Sequence, residues 1–146
     1  MTHQFVDTNV LLYAYDPSAG EKHLRARTLI GELGRERRGA LSVQVLQEFY
    51  VNVVRKIAVP LPPSAARDRI RMLSRWTVHS PLAHDVISGT EISEQHQISL
   101  WDAMVVRSAS ELGCDVLWSE DLDSGQRING VQIRNPFTGD GAEFSR

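Results

Sequence analysis

Four carboxylates stand in contexts that could bring them together. Asp7 follows the short apolar run Gln4-Phe5-Val6, Glu48 lies in Val45-Leu46-Gln47-Glu48-Phe49, Asp102 sits three residues after Ser99, and Asp121 comes two residues after Ser119. Several carboxylates in one cleft repel one another unless cations neutralise them. An all-oxygen donor set suits Mg2+, which keeps part of its water shell, and suits Mn2+ equally. A divalent ion held this way lowers the pKa of a bound water and supports phosphodiester hydrolysis. No side chain stands out as a covalent nucleophile. His3, His23, His79, His84 and His96 show no metal-ligand spacing, which disfavours imidazole catalysis.

Taken singly, each acid has a plainer role. Asp7 could cap a helix beginning near Val10. Ser99-Leu100-Trp101-Asp102 has the form of a capping box. Asp121 and Asp123, near Ser124-Gly125, could be turn residues. Glu48 falls off the apolar stripe of its helix, where an exposed glutamate is ordinary.

The elements that would position these residues follow from periodicity. Short apolar runs at 4–6, 40–42, 76–78, 115–119 and 131–133 read as strands. Ala26, Leu29, Ile30 and Leu33 mark a helix ended by Gly34 or Gly39. Leu46, Phe49, Tyr50, Val53, Val54 and Ile57 give the strongest helical stripe in the chain. Ser64 can cap a helix through Ala66, Ile70 and Leu73. Ser80-Pro81 opens another, interrupted by Gly89. Ser99 starts a helix closed by Gly113. Short strands alternating with amphipathic helices are the pattern of an α/β fold with a short central, mainly parallel sheet. In such sheets the site lies beyond the carboxyl ends of the strands, where Asp7, Asp102 and Asp121 would converge.

The chain has 146 residues, 42% of them hydrophobic, which suits one globular domain. Residues 1–134 carry the patterned elements, and residues 135–146, with Pro136, Gly139 and Gly141, read as a loosely held tail. Cys114 is the single cysteine and reads as a small buried thiol. No stretch is apolar enough to span a membrane, and the N-terminus lacks the pattern of a signal peptide, so a cytoplasmic protein is expected. The net charge of −2 hides an asymmetry. Residues 21–75 hold 12 lysines and arginines against 5 acids, while the rest hold 4 against 13. The basic half could guide a polyanion, with Arg35, Arg37 and Arg38 its densest cluster; these side chains could equally face solvent or bind a protein partner.

The order of motifs adds to this reading. Phe5-Val6-Asp7-Thr8-Asn9-Val10-Leu11-Leu12-Tyr13 resembles the opening of the PIN-domain family. Val45-Leu46-Gln47-Glu48-Phe49, Ser99-Leu100-Trp101-Asp102-Ala103-Met104-Val105-Val106 and Leu117-Trp118-Ser119-Glu120-Asp121-Leu122 resemble its later acidic motifs. The compact spacing is most similar to bacterial ribonuclease toxins of the VapC type. The resemblance implies a three-layer α/β/α fold and an Mg2+- or Mn2+-dependent endoribonuclease with Asp7, Glu48, Asp102 and Asp121 as metal ligands. Asp123 would be a possible fifth acid. Ser119 stands where the family often has threonine, and its hydroxyl would orient a carboxylate or a water. Asn9 would tie the first loop. An RNA substrate, a cognate antitoxin and a homodimer are implied as well. An inactive nucleic-acid-binding or regulatory module on the same fold is the alternative. A haloacid-dehalogenase-type phosphatase would need a second aspartate where Asn9 stands, and a receiver domain would need an acidic pair that the chain lacks.

Overall fold

The short apolar runs become strands covered on both faces: Phe5, Val6, Ala40, Leu41, Leu117 and Trp118 are all wholly buried. The computed structural model describes residues 2–138. Its elements are β1 (Gln4–Val6), α1 (Thr8–Tyr13), α2 (Glu21–Glu36), β2 (Gly39–Ser42), α3 (Val43–Val53), α4 (Pro63–Leu73), β3 (Thr77–His79), α5 (Ala83–His96), α6 (Leu100–Glu111), β4 (Val116–Trp118), β5 (Arg127–Ile128) and β6 (Val131–Arg134). The sheet runs β3-β2-β1-β4-β6-β5, and every pair is parallel except β5 with β6.

The topology fixes the layers. The chain moves outward from β1 to β2 to β3, then returns past β1 to β4. Crossovers are right-handed, so the outward steps put α1–α4 on one face and the return step puts α5 and α6 on the other. The packing agrees: α1 lies against α2 and α3, α3 against α4, and α5 along α6. The direction of travel reverses between β1 and β4, which makes their carboxyl ends the topological switch point.

Several boundaries differ from expectation. The second helix runs through Gly34 to Glu36 and ends at Arg37, whose left-handed backbone (φ 56°) serves where a glycine was expected. Gly39 is instead the first residue of β2. A Cβ there would lie 2.3 Å from the Trp76 ring, so glycine is required for that ring to pack. Ser64 does not cap α4. Pro62 occupies the N-cap and Pro63 opens the helix, as its fixed φ allows. The next helix begins at Ala83 rather than at Pro81, and Gly89 does not break it. At Gly89 a Cβ would meet the Met104 Sδ at 2.4 Å, so this glycine lets α5 lie close to α6. The β5–β6 hairpin was not expected, although the Asn129-Gly130 pair at its turn, both with positive φ, is the usual sequence signal for one. Of the expected tail, residues 139–146 lie outside the described residues. Residues 135–138 pack on the body: Pro136 is buried, and the Phe137 ring meets the Tyr13 ring edge-on at 5.2 Å. Cys114 is buried, and burial pushes its thiol up to about 12.

Candidate active site

Asp7 stands at the N-cap of α1, directly after β1. One carboxylate oxygen accepts the Thr8 backbone N–H at 2.7 Å, and the other accepts the Ser119 hydroxyl at 2.9 Å. The capping role and a place in the cleft therefore coexist, because two donors leave the carboxylate with unused lone pairs. The Ser119 oxygen in turn accepts the backbone N–H groups of Asp121 and Leu122, at 3.2 and 3.3 Å. This one hydroxyl fastens the end of β1 to the loop after β4 across the switch point.

Two of the other three acids are aimed by neighbours, and the third is placed by its helix end. Thr8 Oγ1 donates to Glu48 Oε1 at 2.8 Å. Asn9 Nδ2 donates to Asp121 Oδ2 at 2.7 Å, tying α1 to the β4 loop. Asp102 lies in the first turn of α6, where the Ser99 hydroxyl accepts its backbone N–H at 3.1 Å. Beside Asp121, Glu120 accepts the Tyr13 hydroxyl at 2.8 Å and pairs with Lys22, which draws its charge away from the cleft.

Asp7, Glu48, Asp102 and Asp121 line one cleft of about 120 Å3, together with Thr8, Asn9, Gln44, Asn52, Trp101 and Val105. No lysine or arginine is among these ten residues. Asp7 is only 6% exposed, and burial pushes its carboxyl up to about 6, helped by the charges of Asp102 and Asp121 and opposed by its two hydrogen bonds. Burial likewise raises Asp102, with Asp121 and Glu48 adding repulsion. The donor set is therefore all oxygen, mutually repelling and without a protein cation to relieve it, which fits a hard divalent ion. Among the described residues, no three of these acids offer oxygens within 4.8 Å of one another. Asp7, Glu48, Asp102 and Asp121 would hold such an ion directly or through the waters it retains.

Ser119 and the four acids expected from the sequence thus meet at the switch point. Asp123 is exposed and does not line the cleft. Glu48 is off the apolar stripe as anticipated, but that side of α3 faces the cleft and not open water. Gln44, Glu48 and Asn52, spaced four apart, form a polar row along it. That row was readable in the sequence and was missed, as were the aiming role of Thr8 and the position of Trp101. Arg35, Arg37 and Arg38 lie at the opposite edge of the sheet, where Arg38 joins the amino end of β1 through its carbonyl. They border or adjoin a cavity of about 770 Å3, whose lining includes Arg35, Arg37, Arg75 and Trp76 and none of the four acids. A second cluster, His84, Asp85 and Glu111, has the spacing of a metal site. Arg107 bridges Asp85 at 2.9 Å and Glu111 at 2.8 Å, so a guanidinium already supplies its positive charge.

The sequence profile of the PIN domain matches residues 5–128. No curated protein matches the chain. Solved structures that share the fold include three toxin or toxin–antitoxin structures. The VapC20 toxin of Mycobacterium tuberculosis, described as cleaving the sarcin–ricin loop, is 20% identical with a TM-score of 0.67, over 82% of this chain and 91% of that one. DNA-bound VapBC from Salmonella typhimurium is 19% identical with a TM-score of 0.64, over 92% and 98%. VapBC2 from Rickettsia felis, bound to a fragment of its promoter, is 17% identical with a TM-score of 0.64, over the same shares.

Proposed function

Since the chain belongs to the PIN-domain family, we propose that it is a divalent-metal-dependent endoribonuclease, the toxin of a toxin–antitoxin pair. The observation that carries the proposal is the cleft of four carboxylates at the switch point, with no basic side chain in its lining. Asp7, Glu48, Asp102 and Asp121 would hold Mg2+ or Mn2+. When bound, the ion supplies hydroxide near neutral pH and offsets charge on the phosphate.

The chain's own residues prepare that site. Thr8 and Asn9 fix the directions of Glu48 and Asp121. Ser119 donates to Asp7, which favours its ionised form against the opposing effect of burial, and sets the height of Asp121 through the backbone. Glu48 or Asp121 positions the attacking water, and burial keeps bulk solvent from Asp7.

RNA as substrate, a cognate antitoxin and a homodimer in the cytoplasm complete the proposal. The toxin and toxin–antitoxin complexes among the structural neighbours support the antitoxin. An inactive binding module is the second reading; the four acids and their aligned donors speak against it, since a dead copy needs none of them. The test is cleavage of structured RNA by the purified protein with manganese and with EDTA, beside Asp7→Asn. Cleavage that survives EDTA, or an equally active mutant, would sink the proposal.

A further inference from the structure

Trp101 sits on the lip of the carboxylate cleft with 65% of its surface exposed. The other two tryptophans are used differently. Trp118 is wholly buried, and Trp76 covers Gly39. Trp101 occupies the second position of α6, immediately before Asp102, so their Cα atoms are about 3.8 Å apart. Its backbone is held as well: Gln44 Nε2, reaching over from α3, donates to the Trp101 carbonyl at 3.2 Å. The backbone that carries the indole is therefore fixed at a helix end and tied to α3 across the cleft.

The charge of the cleft says what such a ring can do. Four acids and no bases line it, so the phosphates on either side of a bound one meet repulsion there. An RNA strand needs a contact at this point that is indifferent to charge. A flat, neutral indole beside the acids provides one, because every base has a π face and unpaired bases stack on exposed aromatic rings. We infer that Trp101 is a stacking platform for the unpaired base next to the scissile phosphate. It takes a single-stranded or splayed-out nucleotide, and a base held in a duplex cannot reach it.

The inference rests on the nuclease reading, and two measurements separate them. The first is tryptophan emission on titration with a mixed-sequence single-stranded RNA in calcium, a hard cation that binds oxygen donors. Wild type should be quenched. Trp101→Phe should lose the quench, and Trp76→Phe should keep it. The second is cleavage of total bacterial RNA in manganese. Trp101→Ala should raise KM roughly tenfold, equivalent to about 1.4 kcal/mol, with kcat within twofold. Trp101→Phe should recover most of this loss, and the slope of log KM against log salt should not change, since no phosphate contact is removed. Quenching with no cleavage by wild type would end the nuclease reading and leave the platform standing. Cleavage with equal KM for wild type and Trp101→Ala would overturn the platform alone. It would also be overturned by a Trp101→Ala protein whose KM loss tracks a fall in sedimentation coefficient, because the ring would then be covered by a second copy of the chain.

Discussion

Removing the charge of Asp7 should stabilise the metal-free protein, by an amount that depends on pH. Its carboxyl is raised from 3.8 to about 6, chiefly by burial. A carboxyl with a folded pKa above its unfolded value binds its proton more tightly in the folded state. The protonated form thus favours folding below about pH 4, and the advantage disappears as pH climbs to 6. Each unit is worth about 1.36 kcal/mol, so ionised Asp7 burdens the fold by about 3 kcal/mol at pH 7.5. Asp7→Asn lifts this burden but perturbs the hydrogen bonds to Ser119 and Thr8, a loss of about 1 kcal/mol. The net expected gain is about 2 kcal/mol at pH 7.5, a rise of roughly 5 °C in melting temperature. At pH 4 the mutant should be no more stable than wild type, since Asp7 is then protonated. Urea unfolding of both proteins in EDTA, from pH 4 to 8, reads the difference directly. A difference that stays flat across this range, or a mutant less stable at pH 7.5 than wild type, would refute the argument that buried, uncompensated charge dominates at Asp7.

Adding Mg2+ or Mn2+ should stabilise wild type by about 2.7 kcal/mol at a hundred times the dissociation constant, read as a rise in melting temperature; Asp7→Asn should lose most of that shift, and equal shifts would place the ions elsewhere. Asp102→Asn and Glu48→Gln should each abolish cleavage with circular dichroism unchanged, and Thr8→Val should lower kcat by about fivefold by releasing Glu48 from a bond worth about 1 kcal/mol. Replacing Arg35, Arg37 and Arg38 together with Ala should leave kcat and the salt dependence of RNA binding unchanged, because they occupy the opposite edge of the sheet; a flattened salt slope would put RNA on that edge after all. Gly39→Ala should destabilise by about 1–3 kcal/mol, as its methyl would fall 2.3 Å from the Trp76 ring, and wild-type urea stability would show that the ring moves freely.

The sequence yields most where residue type and period point the same way. Strands such as Phe5-Val6 and Leu117-Trp118 are apolar on both faces, so their burial follows directly, and the parallel sheet follows from the alternation with helices. Boundaries were lost where a local signal competed with a tertiary one. Gly34 looks like a terminator, yet the helix continues until Arg37 turns it. Gly39 and Gly89 look like breaks, and both exist for partners distant in sequence, Trp76 and Met104. Pro62-Pro63 outranked Ser64 because a proline at the first helical position needs no N–H. At the site, Asp7, Asp102 and Asp121 were legible from their places at strand and helix ends. Glu48 came from the resemblance alone, since its helix shows an apolar stripe and does not say whether the opposite side meets water or a cleft. Pairings such as Thr8 with Glu48 and Asn9 with Asp121 span 40 and 112 residues and leave no trace in local spacing.

The hydrogen bond from Ser119 to Asp7 joins positions 112 residues apart, and this separation orders events while the chain is being made. Synthesis runs from the N-terminus, so Asp7, Glu48 and Asp102 leave the ribosome well before β4, which is the strand that must slot beside β1. Closing so long a loop is slow and is rewarded only when the central strands pair. Until then Asp7 lacks the Ser119 hydroxyl and the cleft lacks Asp121, although α1 and α3 can already bring Thr8 to Glu48. A chain cut short before Ser119 should therefore be inert however far its helices have formed, so that under the proposed function cleavage of RNA has to wait until β4 and the loop after it have been made.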